Sequence, residues 1–259
     1  MQNDTLLSDV NGAVGWLTIN REAKMNTLTR EMWHLLTAKL QELCDDSRVR
    51  VIVIRGAGDQ VFSAGADIEE MKIRLESSEA HDGLSATAEA FDAIADCTKP
   101  TIAMVHGHCF GGGCAIALGC DVRLVSDESL FAITPARLGL GYPYNGVERA
   151  VHELGASFAR YMLITANRIK PDEALRVGLA HAVHPAGDLE RETTNLAERM
   201  ASLAPLTIRA ARESLRVASH RATALDEVNQ LIEECATSED FREGARAFME
   251  KRKPKFEGR

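Results

Sequence analysis

Residues Thr101 to Asp121 read TIAMVHGHCFGGGCAIALGCD, and the fold expected for the whole chain turns on this stretch. It opens with the apolar run Ile102-Ala103-Met104-Val105, the length of a buried strand. Gly107 and then Gly111-Gly112-Gly113 follow. After them Cys114-Ala115-Ile116-Ala117-Leu118 is small and apolar, which predicts a buried helix ending near Gly119. Strand, glycine turn and helix in that order aim free backbone N–H groups at a ligand, because the first turn of a helix has unpaired donors. Glycine lets such a ligand approach the backbone closely. Taken alone, the same residues suit a tight turn that packs a helix against a sheet.

A second corner lies upstream. Val61-Phe62-Ser63-Ala64-Gly65-Ala66-Asp67-Ile68 reads as another strand-to-helix connection, with Asp67 capping a helix through Glu69-Glu70-Met71-Lys72. The N–H of Ala66 or a neighbour is then left on an exposed shoulder. Two corners of this kind meet the requirement of an oxyanion hole. A carbonyl gaining negative charge is stabilised by donors positioned beforehand, with about 3–4 kcal/mol lost per donor removed.

Further from the centre, Val14 to Ile19 (VGWLTI) has strand character and Asn20 to Asn26 (NREAKMN) is a polar turn. Thr29 is placed as the N-cap of a helix whose face is Met32, Leu35, Leu36, Leu40 and Leu43. Val49 to Ile54 (VRVIVI) predicts a strand buried on both faces. Residues 72–85 (KIRLESSEAHDGLS) are polar and aperiodic, which predicts a mobile flap or irregular loop. Helix resumes from Ala86 to Cys97 and stops before Pro100. Val122 to Val125 and Leu130 to Ala132 are short strands; Val147–Leu154, Ser157–Thr165 and Asp172–Val177 are helices; His181 to Val183 is a last strand. From Leu189 to Phe248 nearly everything is helical, with breaks at Pro205 and around Ser219 and Ser238. Alternation giving way to helices predicts an α/β core over residues 1–195 and a helical region over 196–259.

The bulk numbers exclude several classes of function. A chain of 259 residues, 45% hydrophobic and 26% charged, can bury a large core. A formal charge of −8 argues against nucleic acid or an anionic membrane as the main partner. No apolar run reaches the length of a membrane span, and Met1-Gln2-Asn3-Asp4 lacks the basic start of a signal peptide. The six Cys include no C-x-x-C pair, so a zinc ribbon or thioredoxin motif is not expected, and a reduced, cytoplasmic protein is.

FSAGADI at 62–68 and HGHCFGGGC at 106–114 resemble the paired signatures of the crotonase (enoyl-CoA hydratase/isomerase) superfamily. The resemblance extends to NREAKMNTL, to LITANRIKPDEALRVGLAHAVHP at 163–185 and to EGARAFMEKRKPKF at 243–256. It implies a crotonase-like (ClpP/crotonase) α/β spiral of β-β-α turns, with a C-terminal helical region that builds a homotrimer, often paired into a hexamer. An acyl-CoA thioester is the implied substrate, with coenzyme A arriving as part of it and no metal or redox cofactor. The N–H groups of Ala66 and Gly112 would hold the thioester oxygen. Ala64, Asp67 and Ile68 would lie along CoA with Lys24 and Met25 close by, and Phe248 and Lys251 would approach from the C-terminal helix.

The family pattern also breaks. Hydratases of the family use two glutamates to hold and activate water, and at the matching positions this chain has Ala115 and Pro135. Neither can move a proton, so two-glutamate hydration is not expected, and the same gap weakens a double-bond isomerase reading. TPARLGLGYPYNG at 134–146 resembles instead the TP-x-x-LG-x-x-Y segment of the methylmalonyl-CoA decarboxylases, in which the Tyr matching Tyr142 faces the substrate. Ala66 departs from that pattern, since those enzymes have His there. His106 and His108 bracket Gly107 beside the expected donors; a His there titrates near neutrality, and His108 is a candidate base. The pair is not read as a metal site. Tyr144, Asn145, Glu148 and Arg137 are further polar candidates. The expected functions are an acyl-CoA lyase or isomerase that stabilises a thioester enolate, a decarboxylase, or an acyl-CoA-binding scaffold without catalysis.

Overall fold

The computed structural model describes residues 5–76, 82–203 and 236–252, together with positions 205, 208, 211, 212, 215 and 254. The chain begins with a hairpin. β1 (Leu6–Asn11) and β2 (Val14–Ile19) pair antiparallel across a two-residue loop whose first residue, Gly12, takes φ +59°. α1 (Arg30–Asp45) starts where Thr29 accepts a hydrogen bond from the Met32 N–H, as its N-cap position predicts. It buries Met32, Trp33, Leu36, Leu40 and Leu43; Trp33 takes the central place, and Leu35 is only partly buried.

β3 (Val51–Gly56) and β4 (Val61–Ser63) precede α2 (Ile68–Glu76) and α3 (Asp82–Ala95). β5 (Thr101–Val105) and β6 (His108–Phe110) precede α4 (Gly112–Gly119). β7 (Val122–Ser126) and β8 (Leu130–Ala132) precede α5 (Tyr144–Thr165) and α6 (Pro171–Arg176). β9 (Ala182–His184), α7 (Leu189–Ala201) and α8 (Glu239–Met249) complete the described elements.

The strands fall into two sheets, ordered β1-β2-β3-β5-β7-β9 and β4-β6-β8, and every pairing except β1 with β2 is parallel. Each turn of chain therefore gives one strand to the large sheet, the next to the small sheet, and then a helix. This is the β-β-α spiral of the crotonase fold. The small sheet is the part that composition hides. β6 has three residues and sits where the sequence predicts only a glycine turn, because Gly107 at φ +54° redirects the chain and His108 N–H then bonds to the Gln60 carbonyl.

Alternation along the central strands explains their continuous apolar runs. Ile52 and Ile54 of β3, with Ala103 and Val105 of β5, face the main core shared with α1, α3 and α4. Val51, Val53, Ile102 and Met104 face a second core that Leu189 and Ala197 of α7 cover.

One expectation needs correcting. Residues 72–76 and 82–85 are helical, as parts of α2 and α3, rather than irregular; only 77–81 of the proposed flap fall outside the described residues. Asp67 nucleates α2 by accepting from the N–H groups of Glu69 and Glu70. The helices expected at 147–154 and 157–165 are both present as the two arms of α5, which meet at Gly155, whose backbone is non-helical with φ +73°. The predicted breaks at Pro205 and Ser238 both occur: α7 ends at Ala201, Ser202 and Leu203 are non-helical and Pro205 is helical again, while Ser238 caps α8 by accepting from the Phe241 N–H. The break at Ser219 lies outside the described residues.

Candidate active site

The two strand-to-helix corners touch. Gly65, at φ +88°, lies so near the start of α4 that a Cβ on it would come within 2.6 Å of the Gly112 nitrogen and 3.0 Å of the Phe110 oxygen. Only glycine fits there, in conformation and in space. Ala66 follows at once. Its neighbours pair with β-bridge partner Leu28, since Leu28 N–H bonds to the Gly65 carbonyl and Asp67 N–H to the Leu28 carbonyl. In a parallel bridge the residue between those two bonds points its own N–H the other way.

Gly112 is the first residue of α4, behind Gly111 at φ +53° and ψ −116°. Its N–H belongs to the unpaired first turn. Among the described residues, neither the Ala66 nor the Gly112 N–H has a partner, and both residues line the same cavity. Two free amides from adjoining corners can stabilise one oxygen that becomes anionic.

That cavity, of ≈ 100 Å³, has an aromatic wall: Trp33, Phe91, Tyr142 and Phe241. Trp33 and Phe91 meet edge to face with centroids 5.7 Å apart, and a Cβ on Gly112 would lie 3.1 Å from the Trp33 ring. A second cavity of ≈ 560 Å³ shares Ala64, Ala66, Ile68, Thr134 and Leu138 with the first and is flanked by Lys24, Arg137 and Arg168. It falls in the size range of small-molecule sites. α8 reaches both, through Phe241 in the aromatic cavity and Phe248 in the basic one. It lies close because Gly244 and Gly139 leave no room for a Cβ between α8 and the loop at 138–139.

The basic cavity brings together Lys24, Met25, Ala64, Asp67, Ile68 and Phe248. Lys24 pairs with Glu69 at 2.7 Å, and Asp67 with Arg21 at 2.5 Å. Burial works against the Asp67 charge, but the Arg21 guanidinium and the α2 amides outweigh it and hold the carboxyl below its usual range. Lys251 follows α8 at φ +52°, exposed, and lines neither cavity.

Tyr142 lines the aromatic cavity, but its hydroxyl donates to the Gly111 carbonyl at 3.0 Å, and burial raises its phenol well above the ordinary value. His108 is not brought to either cavity. Alternation on β6 puts it on the same face as Phe110, whose ring stacks on the imidazole at 4.9 Å and is itself the group that reaches the basic cavity. His106 is buried, which lowers its pKa. Ala115 packs in the main core, while Pro135 lines the aromatic cavity. Asn145 bonds to the Ala88 carbonyl and Asp92, and Tyr144 reaches toward Glu148 at 3.5 Å. Arg137 of the basic cavity donates to the Ala166 carbonyl.

Sequence reasoning missed Trp33, Phe91, Glu70, Arg30 and Arg168. Trp33 was available, since it falls between Met32 and Leu36 on an amphipathic helix. Glu70 puts a carboxylate on the aromatic cavity, with one oxygen accepting the Arg30 N–H at 2.8 Å at the start of α1. Nothing in the spacing links positions forty residues apart. Among the described residues no group of His, Cys, Asp and Glu is placed to hold a metal ion, and no helix is long and apolar enough to cross a membrane.

Residues 9–259 match the profile of the Enoyl-CoA hydratase/isomerase family. The short-chain-enoyl-CoA hydratase of Clostridium acetobutylicum is 31% identical over 98% of this chain and 97% of its own. The crotonyl-CoA hydratase of Syntrophomonas wolfei is 33% identical over 93% of each. Methylmalonyl-CoA decarboxylase in complex with 2-nitronate-propionyl-CoA superposes with a TM-score of 0.86 at 29% identity, over 98% of this chain and 99% of that one.

Proposed function

The chain belongs to the enoyl-CoA hydratase/isomerase family, and from that premise we propose that it binds an acyl-CoA thioester and stabilises its enolate on the amides of Ala66 and Gly112. The observation that carries the proposal is the adjacency of these two unpartnered N–H groups on one cavity. The aromatic cavity takes the acyl group. The basic cavity takes the CoA moiety, with Lys24, Arg137 and Arg168 suited to its phosphates.

Among enolate-forming reactions, decarboxylation of a 2-carboxyacyl-CoA suits this lining best. The thioester oxygen accepts from Ala66 and Gly112, the bond from C2 to the carboxylate breaks, and its electron pair enters the enolate. CO₂ leaves, and a proton returns to C2 to give the acyl-CoA. No base is required to start the reaction, which fits a chain with Ala115 and Pro135 in place of the two glutamates. Among the described residues lining the aromatic cavity the one carboxylate is Glu70, and one of its oxygens accepts from the N-terminus of α1. Likeness to a methylmalonyl-CoA decarboxylase at a TM-score of 0.86 supports the same reading. No cofactor beyond the CoA of the substrate enters these steps. A homotrimer or a hexamer of two trimers, as the family resemblance implies, belongs to the proposal and is tested by light scattering.

Methylmalonyl-CoA, crotonyl-CoA and a 3-enoyl-CoA, assayed side by side for CO₂ release and thioester absorbance, test it. CO₂ release from the first with little turnover of the others is the expected result. Fast crotonyl-CoA hydration would overturn the decarboxylase assignment. Tight binding of all three without turnover would make the protein a CoA-ester-binding scaffold.

A further inference from the structure

Away from both cavities, two cysteines face each other. Cys44, in the last turn of α1, and Cys97, just beyond the end of α3, have sulfurs 3.1 Å apart. Cys97 is 6% exposed and Cys44 half-buried, so one sulfur is shielded and the other can be reached from solvent. We propose that Cys44 and Cys97 form a peroxide-sensitive dithiol that closes into a reversible disulfide between α1 and the segment after α3.

The surroundings divide the roles. The two sulfurs are within hydrogen-bond distance and either could donate; the Cys97 thiol, with the polar groups of Thr98 and Lys99, favours charge on Cys44. Together they outweigh burial and bring the Cys44 thiol down to about 6, while the same pairing and burial raise Cys97. These surroundings favour the thiolate at Cys44 over Cys97, and thiolate is the form that attacks peroxide. The Lys99 ammonium, bonded to the Leu43 and Asp46 carbonyls at 2.9 and 2.6 Å, pins the end of α1 against this segment.

The chemistry balances with hydrogen peroxide as oxidant. The Cys44 thiolate attacks one peroxide oxygen, the O–O bond breaks, and hydroxide leaves, taking up a proton to become water. The Cys97 sulfur then attacks the Cys44 sulfenic acid. The S–O bond breaks, a second water leaves with the Cys97 proton, and the S–S bond forms. Two thiols and one peroxide give a disulfide and two waters. The sulfurs need to close by only about 1 Å to reach a bond of about 2.05 Å.

The bond would tie α1, which carries Trp33, to the segment directly after α3, which carries Phe91, the pair walling the aromatic cavity. The other described cysteines serve as internal controls. Cys109, Cys114 and Cys120 are at most 2% exposed, and burial raises Cys109 and Cys120.

The test treats the full-length protein with excess hydrogen peroxide at neutral pH, then blocks remaining thiols and maps peptides by mass spectrometry. The wild-type and Cys235→Ser proteins should each lose the mass of two hydrogens, linked as Cys44–Cys97, and regain it with dithiothreitol. Cys97→Ser should instead trap Cys44 as a sulfenic acid that reacts with dimedone. Linkage through Cys235, progression of wild-type Cys44 to sulfinic acid without a crosslink, or no reaction where free cysteine is oxidised would each overturn the proposal. The wild-type map decides even if a variant fails to fold.

Discussion

The hydroxyl of Tyr142 donates to the carbonyl of Gly111 at 3.0 Å, so the phenol holds the residue immediately before the proposed Gly112 donor. The same carbonyl accepts the Ala115 N–H of α4 at 3.3 Å. Tyr142→Phe therefore removes a positioning bond without orphaning the carbonyl. A neutral buried hydrogen bond contributes about 1 kcal/mol, which is roughly fivefold in a rate if all of it reaches the transition state. We expect turnover to fall less than tenfold and the melting temperature to drop by a few degrees. A loss of a hundredfold or more with unchanged stability would mean that the hydroxyl acts on the substrate directly.

Gly65→Ala is expected to disable the site. A Cβ there would lie 2.6 Å from the Gly112 nitrogen, at a φ of +88° that side chains rarely adopt. The two corners must separate, and one amide is lost to the bound oxygen. Turnover should drop by about a hundredfold to a thousandfold, as for removal of an oxyanion donor. Far-ultraviolet circular dichroism and CoA-ester binding should change little if the damage is confined to the donors. A variant with wild-type kcat would remove Gly112 from the mechanism.

Both corners were legible because glycine, cap and strand signals are local: Asp67 caps α2 as expected, and α4 covers the predicted Cys114–Leu118 run but opens two residues earlier, at Gly112. The two sheets were not, since β4, β6 and β8 have three residues each and pair across long separations such as Cys109 with Phe131. His108 misled for a related reason. Proximity in sequence to Gly112 says nothing of which face of a three-residue strand it occupies. Glu70 escaped notice because its partner is the main chain at Arg30, contributed by a different element.

Arg123 illustrates a hidden dependency of the same kind. It is 1% exposed on β7, pairs with Glu153 at 2.6 Å, and donates to the carbonyls of Leu179 and Cys120. Arg123→Ala leaves those acceptors buried without their donor and should cost about 3 kcal/mol or more in urea unfolding. Glu153→Gln keeps an oxygen that can accept from Arg123 and leaves the bonds to Leu179 and Cys120 in place, so it should cost less than Arg123→Ala. Equal losses in the two variants would show that the ion pair itself, rather than the bonds to carbonyls, carries the effect.

The stability that Asp67 contributes depends on pH. Asp67 is 6% exposed on its side chain, paired with Arg21 and bonded to the amides of Glu69 and Glu70. Its carboxyl stays below the usual range in the folded protein because these partners outweigh the opposing effect of burial. A group depressed on folding adds stability above its unfolded pKa, near 3.9, and that stability is lost as the pH falls through the folded value. Asp67→Asn keeps a capping oxygen but lacks the charge, so it should be less stable by roughly 1–3 kcal/mol between about pH 6 and 8. The difference between the two proteins should narrow below about pH 4 and close once the wild-type carboxyl is protonated. Urea unfolding of both proteins from acid to neutral pH measures this, and a gap independent of pH would mean that hydrogen-bond geometry, not charge, is what Asp67 supplies beside the Ala66 amide.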